Sequence, residues 1–111
     1  MGHRSGVGMV TIPLQAIPSQ SLRVMLNNQL CEISVYTLST GLYLDLDVAG
    51  VSIIAGQLCV DRAYLVRDAY LGFIGDLAFV DTQSQTDPVY TGLGTQYQLI
   101  YFAPSELPVI A

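Results

Sequence analysis

Residues Gly41–Ala49 read GLYLDLDVA. Leu42, Leu44, Leu46 and Val48 fall on one side of an extended chain, and Tyr43, Asp45, Asp47 and Ala49 on the other. Successive side chains of a strand point to opposite faces, so this alternation predicts a strand with one buried face and one wet face. The same period extends upstream. Leu22, Val24 and Leu26 oppose Arg23 and Met25 within Gln20–Leu26, and Cys31, Ile33 and Val35 alternate with Glu32, Ser34 and Tyr36 within Gln29–Tyr36. Asn27-Asn28 between them suits a type I′ hairpin, because asparagine tolerates the positive φ of that turn. Ser39-Thr40-Gly41 makes the next turn. Downstream, Gly50 supports a tight return into Val51–Ile54, and Gly56 interrupts that run before Gln57–Val60 resumes it across a bulge. Short loops join antiparallel neighbours, so these segments predict a four-strand meander.

The last third, Gly72–Phe102, reads GFIGDLAFVDTQSQTDPVYTGLGTQYQLIYF. Phe73–Thr82 and Gln96–Phe102 read as strands joined by the polar loop Gln83–Thr95, in which Asp87-Pro88 favours a turn. On the last strand Tyr97, Leu99 and Tyr101 share one face, and Gln96, Gln98, Ile100 and Phe102 the other. Large apolar groups on both faces imply cover on both sides. Core packing and a subunit interface each account for the cluster of Tyr90, Tyr97 and Tyr101. Asp61–Leu71 (DRAYLVRDAYL) is ambiguous between one or two helical turns and strand or irregular chain. Thr11–Ser19 carries Pro13 and Pro18, and each proline removes a ladder donor, so an edge strand or an extended arm is expected there. The fold class is therefore all-β: a small antiparallel β-barrel or β-sandwich of about eight strands with at most one short helix. Residues 1–8, MGHRSGVG, show no apolar period and read as an expression leader or a disordered terminus. Residues 9–111 form one domain, whose final SELPVIA is either a frayed tail or an arm docking on a neighbour.

The 111 residues suffice for one modest core. Only 12% are charged, about half the share of an ordinary soluble domain, and seven are tyrosines. Sparse charge with surplus tyrosine favours surfaces covered by other chains. From residue 9 onward there are three arginines and no lysine against nine acids, a net charge of −6. That balance argues against sequence-specific nucleic-acid binding, which leans on cations at phosphates. No apolar run reaches the roughly 20 residues that span a bilayer, and neither membrane association nor a secretory signal is expected. Cys31 and Cys59 lie in strand patterns and read as buried, reduced thiols, although a disulfide between neighbouring strands is also open to them.

The candidate chemistries are weak. The single histidine is His3, so residues 9–111 cannot supply a Ser-His-Asp or Cys-His site. Asp45 and Asp47 share a strand face about 6.5–7 Å apart. Such pairs are common on half-solvated strands, and a polar face is the expectation rather than a glycosidase-like carboxylate pair. Asp81, Gln83, Gln85 and Asp87 have calcium-loop spacing, but Thr86 replaces the turn glycine and Gly92 the bidentate glutamate. Two cysteines without histidine do not complete a zinc site. Gly92-Leu93-Gly94 lacks the lysine and the following helix of a phosphate loop. No catalytic residue, cofactor or metal is expected.

Five segments together carry a family resemblance: TIPLQAIPSQ, TGLYLDL, CVDR, YLGFIGDLAFVDT and DPVYTGLGTQYQLIY. They cover most of Met9–Phe102. In them the chain resembles the baseplate plug family of contractile-tailed phages and prophages. The resemblance implies a virion structural protein at the centre of the tail baseplate, where the tail tube meets the hub, made in the host cytoplasm. It implies a homo-oligomer, a ring of three or six copies, with tail tube and hub proteins as partners and no catalysis. On that reading Tyr90, Tyr97, Tyr101, Arg62 and Arg67 are candidate interface residues, and Asp45 and Asp47 face the lumen, where an acidic wall lets DNA slide. The alternative is a carbohydrate- or peptide-binding β module that stacks ligands on surface tyrosines.

Overall fold

The computed structural model describes residues 9–67 and 72–106. The expectations for residues 1–8 and for the last five residues lie outside them. Seven strands are present among the described residues: β1 (Met9–Ile12), β2 (Ser19–Leu26), β3 (Gln29–Leu38), β4 (Gly41–Val48), β5 (Val51–Leu58), β6 (Asp76–Asp81) and β7 (Tyr97–Phe102). They form two antiparallel sheets, ordered β2-β3-β4-β5 and β1-β7-β6. Buried residues of both sheets make one core cluster, which is the sandwich form of the all-β expectation.

The four-stranded sheet is the expected meander. Asn27 and Asn28 take φ of 53° and 62°, and Leu26 pairs with Gln29 across this two-residue turn. Register then stacks like with like: Leu22 opposes Ile33, Ile33 opposes Leu46, and Leu46 opposes Ile54. Leu26, Cys31, Ile33, Val35, Leu42, Leu44 and Leu46 are buried on the inner face. Gly56 sits where expected, in a register shift of β5, with φ of 67°. A second shift lies one residue pair further along, between Leu46 and Asp47. The strand at Gly41 ends one residue earlier than the alternation suggests: Ala49 leaves it for the turn, with φ of 50°.

In the other sheet β7 is central. β1 pairs with it from Met9 opposite Phe102 to Ile12 opposite Leu99, and stops at Pro13. β6 begins at Asp76, not at Phe73. Gln29 instead clamps the backbone of Ile74, receiving its N–H at 2.9 Å and donating to its carbonyl at 3.1 Å. Residues 61–67 contain turns and single bridges but no helix, because Arg62 and Arg67 take φ of 57° and 73°, far from helical values. This segment lies along β6, with bridges from Asp61 to Phe79 and from Tyr64 to Ala78. It supplies the cover expected over the second face of β7: Tyr64 meets Phe102 edge-on, ring centres 5.9 Å apart. Residues 68–71, which complete the ambiguous stretch, lie outside the described residues. Two single-turn 3-10 helices, at Tyr90–Gly92 and Pro104–Glu106, are also present among the described residues.

Candidate functional site

The outer face of the four-stranded sheet carries most of its polar groups in rows set by register. One row runs Arg23, Glu32, Asp47, Ser52; the next runs Ser21, Ser34, Asp45. Asp45 has an internal task. Its Oδ1 accepts the Gly56 N–H at 2.7 Å and the Tyr36 hydroxyl at 2.9 Å. It therefore satisfies the amide that the bulge frees, and its carboxylate holds the Tyr36 hydroxyl above its ordinary pKa. Asp47 stands directly opposite Glu32. Two like charges in that relation repel, by a few tenths of a kcal/mol. The nearby cation is Arg23, whose Nε lies 4.0 Å from Glu32 with both groups well exposed, so it offsets little.

A second group of carboxylates ties loops to the three-stranded sheet. Asp87 accepts the Asp61 N–H at 3.1 Å, and Asp61 accepts the Asp81 N–H at 2.7 Å. Asp81, buried, accepts from the amides of Gln83, Ser84 and Thr86, from the Thr86 hydroxyl and from the Gln96 side chain. Burial alone would raise its pKa, but these donors together hold it well below the ordinary carboxylate value. The stretch with calcium-like spacing thus directs hydrogen-bond donors at Asp81. Asp76 does the same for the preceding segment, accepting Val66 N–H and Arg67 N–H at 2.8 Å each. Arg62 and Arg67 are exposed but engaged. Arg62 donates to Asp61 at 2.7 Å and to the Asp81 carbonyl at 3.3 Å, and Arg67 Nε donates to the Tyr64 carbonyl at 2.7 Å.

The three candidate tyrosines are not brought together on a surface. Tyr97 and Tyr101 belong to the core, 5% and 2% exposed. The Tyr97 hydroxyl shares a 2.8 Å hydrogen bond with that of Thr86, and Tyr101 donates to the Ile74 carbonyl at 2.6 Å while meeting Phe73 edge-on. Neither leaves much surface for a neighbour, and neither forms the stacking platform that a glycan-binding module needs. Tyr90 is half-buried and borders a groove of about 250 Å³ with Thr37, Leu38, Leu42, Pro88 and Val89. The loop beside it needs its glycine: Gly94 has φ of 84°, and a Cβ there would lie 2.4 Å from the Leu14 carbonyl oxygen.

Among the described residues, nothing in this arrangement activates a nucleophile. Cys31 and Cys59 are buried and unpaired, as expected; burial raises the pKa of both thiols, that of Cys59 to about 12. Among the described residues no group of three His, Cys, Asp or Glu side chains is arranged to hold a metal. A family model described as the cyanophage baseplate Pam3 plug gp18 matches residues 9–104. The chain belongs to the baseplate plug family. No curated protein matches it. This plug-family chain is thus a phage baseplate structural protein by family, and its polar groups fit that class in serving the fold. The roles of Asp61, Asp76 and Asp81 as loop anchors escaped the sequence reading. A hint was available: each is an acid next to or within an apolar run, where an unpartnered charge is too costly to keep.

Proposed function

We propose that this plug-family chain sits where the tail tube meets the hub, associates with its own copies in a ring, docks on tube and hub proteins, and performs no catalysis. The single observation that carries this reading is the family match over residues 9–104. The surface supports it. Met25, Leu30, Leu38, Val51, Ile74 and Val89 are all about half exposed or more, which leaves apolar side chains available for contact with partners. The acidic rows of the outer sheet face suit a conduit wall, with Asp47 as the lumen-facing carboxylate. Asp45 stands beside it but also holds the bulge. Arg62, Arg67 and Tyr90 remain surface groups through which neighbours are contacted.

Immunogold labelling of purified phage particles tests the placement. Antibody against this chain labels the baseplate end of the tail once the baseplate is opened. Particles that lack the chain, or that carry it only in the head, sink the reading.

A further inference from the structure

A two-sheet sandwich has four lateral edges, and this chain treats them unequally. The β6 edge is covered by residues 61–65, which donate to it from Arg62 N–H to the Phe79 carbonyl at 2.8 Å and from Leu65 N–H to the Leu77 carbonyl at 2.9 Å. The β5 edge is broken by two register shifts, a device that discourages strand addition. The β2 edge has no such protection. Its eight residues pair with β3 without a single shift.

The groups that β2 presents can be assigned. A two-residue hairpin makes Leu26 and Gln29 a hydrogen-bonded pair, and bonding then alternates along the strand. The bond from Thr37 N–H to the Pro18 carbonyl, 2.9 Å, shows the same phase at the far end. Gln20, Leu22, Val24 and Leu26 therefore turn their backbone groups toward β3. Ser19, Ser21, Arg23 and Met25 turn theirs outward, and no partner meets these amides among the described residues.

β1, the fourth edge, lies on the same flank. β5 ends at Leu58, and Asp61 already bridges Phe79 of β6, so β5 and β6 share one flank and β1 and β2 the other. β1 runs from the Phe102 end of β7 toward Leu99. β2 runs the opposite way, toward the Asn27-Asn28 turn, which lies at the Phe102 end through the Gln29–Ile74 clamp. The two open edges are thus antiparallel and joined by residues 13–18. Apolar side chains flank both: Met9 is 45% exposed, Val10 41% and Met25 60%.

We propose that β1 of one copy adds antiparallel to the open β2 edge of the next, closing the copies into a ring about an axis parallel to the strands. This rests on the self-association reading above. Rotation about such an axis leaves strand directions unchanged, so every contact is β1 to β2 and antiparallel, and closure leaves no open edge on that flank. A second β2 is a poorer occupant. Antiparallel pairing of Gln20–Leu26 with the same residues of a neighbour sets Arg23 directly opposite its Arg23, whereas β1 carries no charge.

Ser21→Pro tests the proposal in the full chain. It removes an outward N–H and leaves the β2–β3 ladder whole. Ser21→Ala separates that effect from loss of the Ser21–Ser34 hydroxyl contact of 2.7 Å. By light scattering the wild type and Ser21→Ala have the mass of several chains, while Ser21→Pro falls to one chain of 12.0 kDa with an unchanged folded spectrum. Hydrogen exchange on the wild-type assembly provides a second readout, with the Ser21 and Arg23 amides slowed relative to dilute monomer. Assembly by folded Ser21→Pro, or unslowed exchange at those amides in the oligomer, overturns the β1–β2 contact and leaves self-association standing. A wild type that stays monomeric at every concentration overturns self-association itself.

Discussion

Ala49 and Gly50 close the β4–β5 hairpin with φ of 50° and 81°. The left-handed region costs alanine roughly 1 kcal/mol, because its Cβ crowds the carbonyl that follows. Asparagine tolerates it, as Asn27 and Asn28 show in the neighbouring turn. Ala49→Asn is therefore expected to stabilise the fold by about 0.5–1 kcal/mol, read as a higher denaturant midpoint with an unchanged slope. The two turns also mark how far single residues could be read. Asn-Asn declares its conformation in its chemistry. Ala49 does not, and the alternation of Gly41–Ala49 carried it one place too far into the strand. Its position is fixed by pairing of Val48 with Val51, a fact of register rather than of residue type.

At the level of elements, six of the seven strands were located in the sequence, β2, β3 and β4 by a period of two that buries one face, β6 and β7 by apolar runs that are covered on both faces. β1 was expected only as an edge strand or an arm. β6 was started three residues too early and ended one too late; nothing in Phe73–Gly75 announces that Gln29, distant in sequence, takes over the backbone bonds of Ile74. Loop anchoring was equally hidden: amide directions around Asp81 are set by the folded loop. That anchor makes a pH prediction. The Asp81 carboxylate has a folded-state pKa below its ordinary 3.8, so its contribution is fully present above that value and is lost as pH falls below it toward the folded pKa. Wild type should lose stability on acidification below about pH 4 more steeply than Asp81→Asn. Denaturant melts at pH 7, 4 and 3 measure the difference. Parallel curves for the two proteins would show that the loop does not depend on that charge.

For the molecule as a whole, the sparse charge and surplus tyrosine were read as signs of cover by other chains, but Tyr97 and Tyr101 are buried inside this one. Composition cannot tell an internal cover, here residues 61–66 over β7, from a neighbouring subunit. The acidic outer face is a different matter, because Glu32 and Asp47 face each other at a small cost to stability. Asp47→Lys turns that repulsion into attraction, so the fold should melt no lower than wild type. On the proposed conduit role, phage assembled with it should eject DNA more slowly, since an added cation there would hold passing phosphates. Unchanged ejection kinetics would mean this face does not line the DNA path. Asp45 is left intact in that variant because the β5 bulge depends on it.

The two cysteines have a practical corollary. Both sulfurs are shut inside the sandwich and too weakly acidic to form thiolate at neutral pH, so maleimides and spin labels should pass the folded protein by. Any cysteine placed on its exterior becomes a unique chemical handle. Crosslinkers and fluorophores can then chart, position by position, which parts of the exterior vanish as the baseplate is put together.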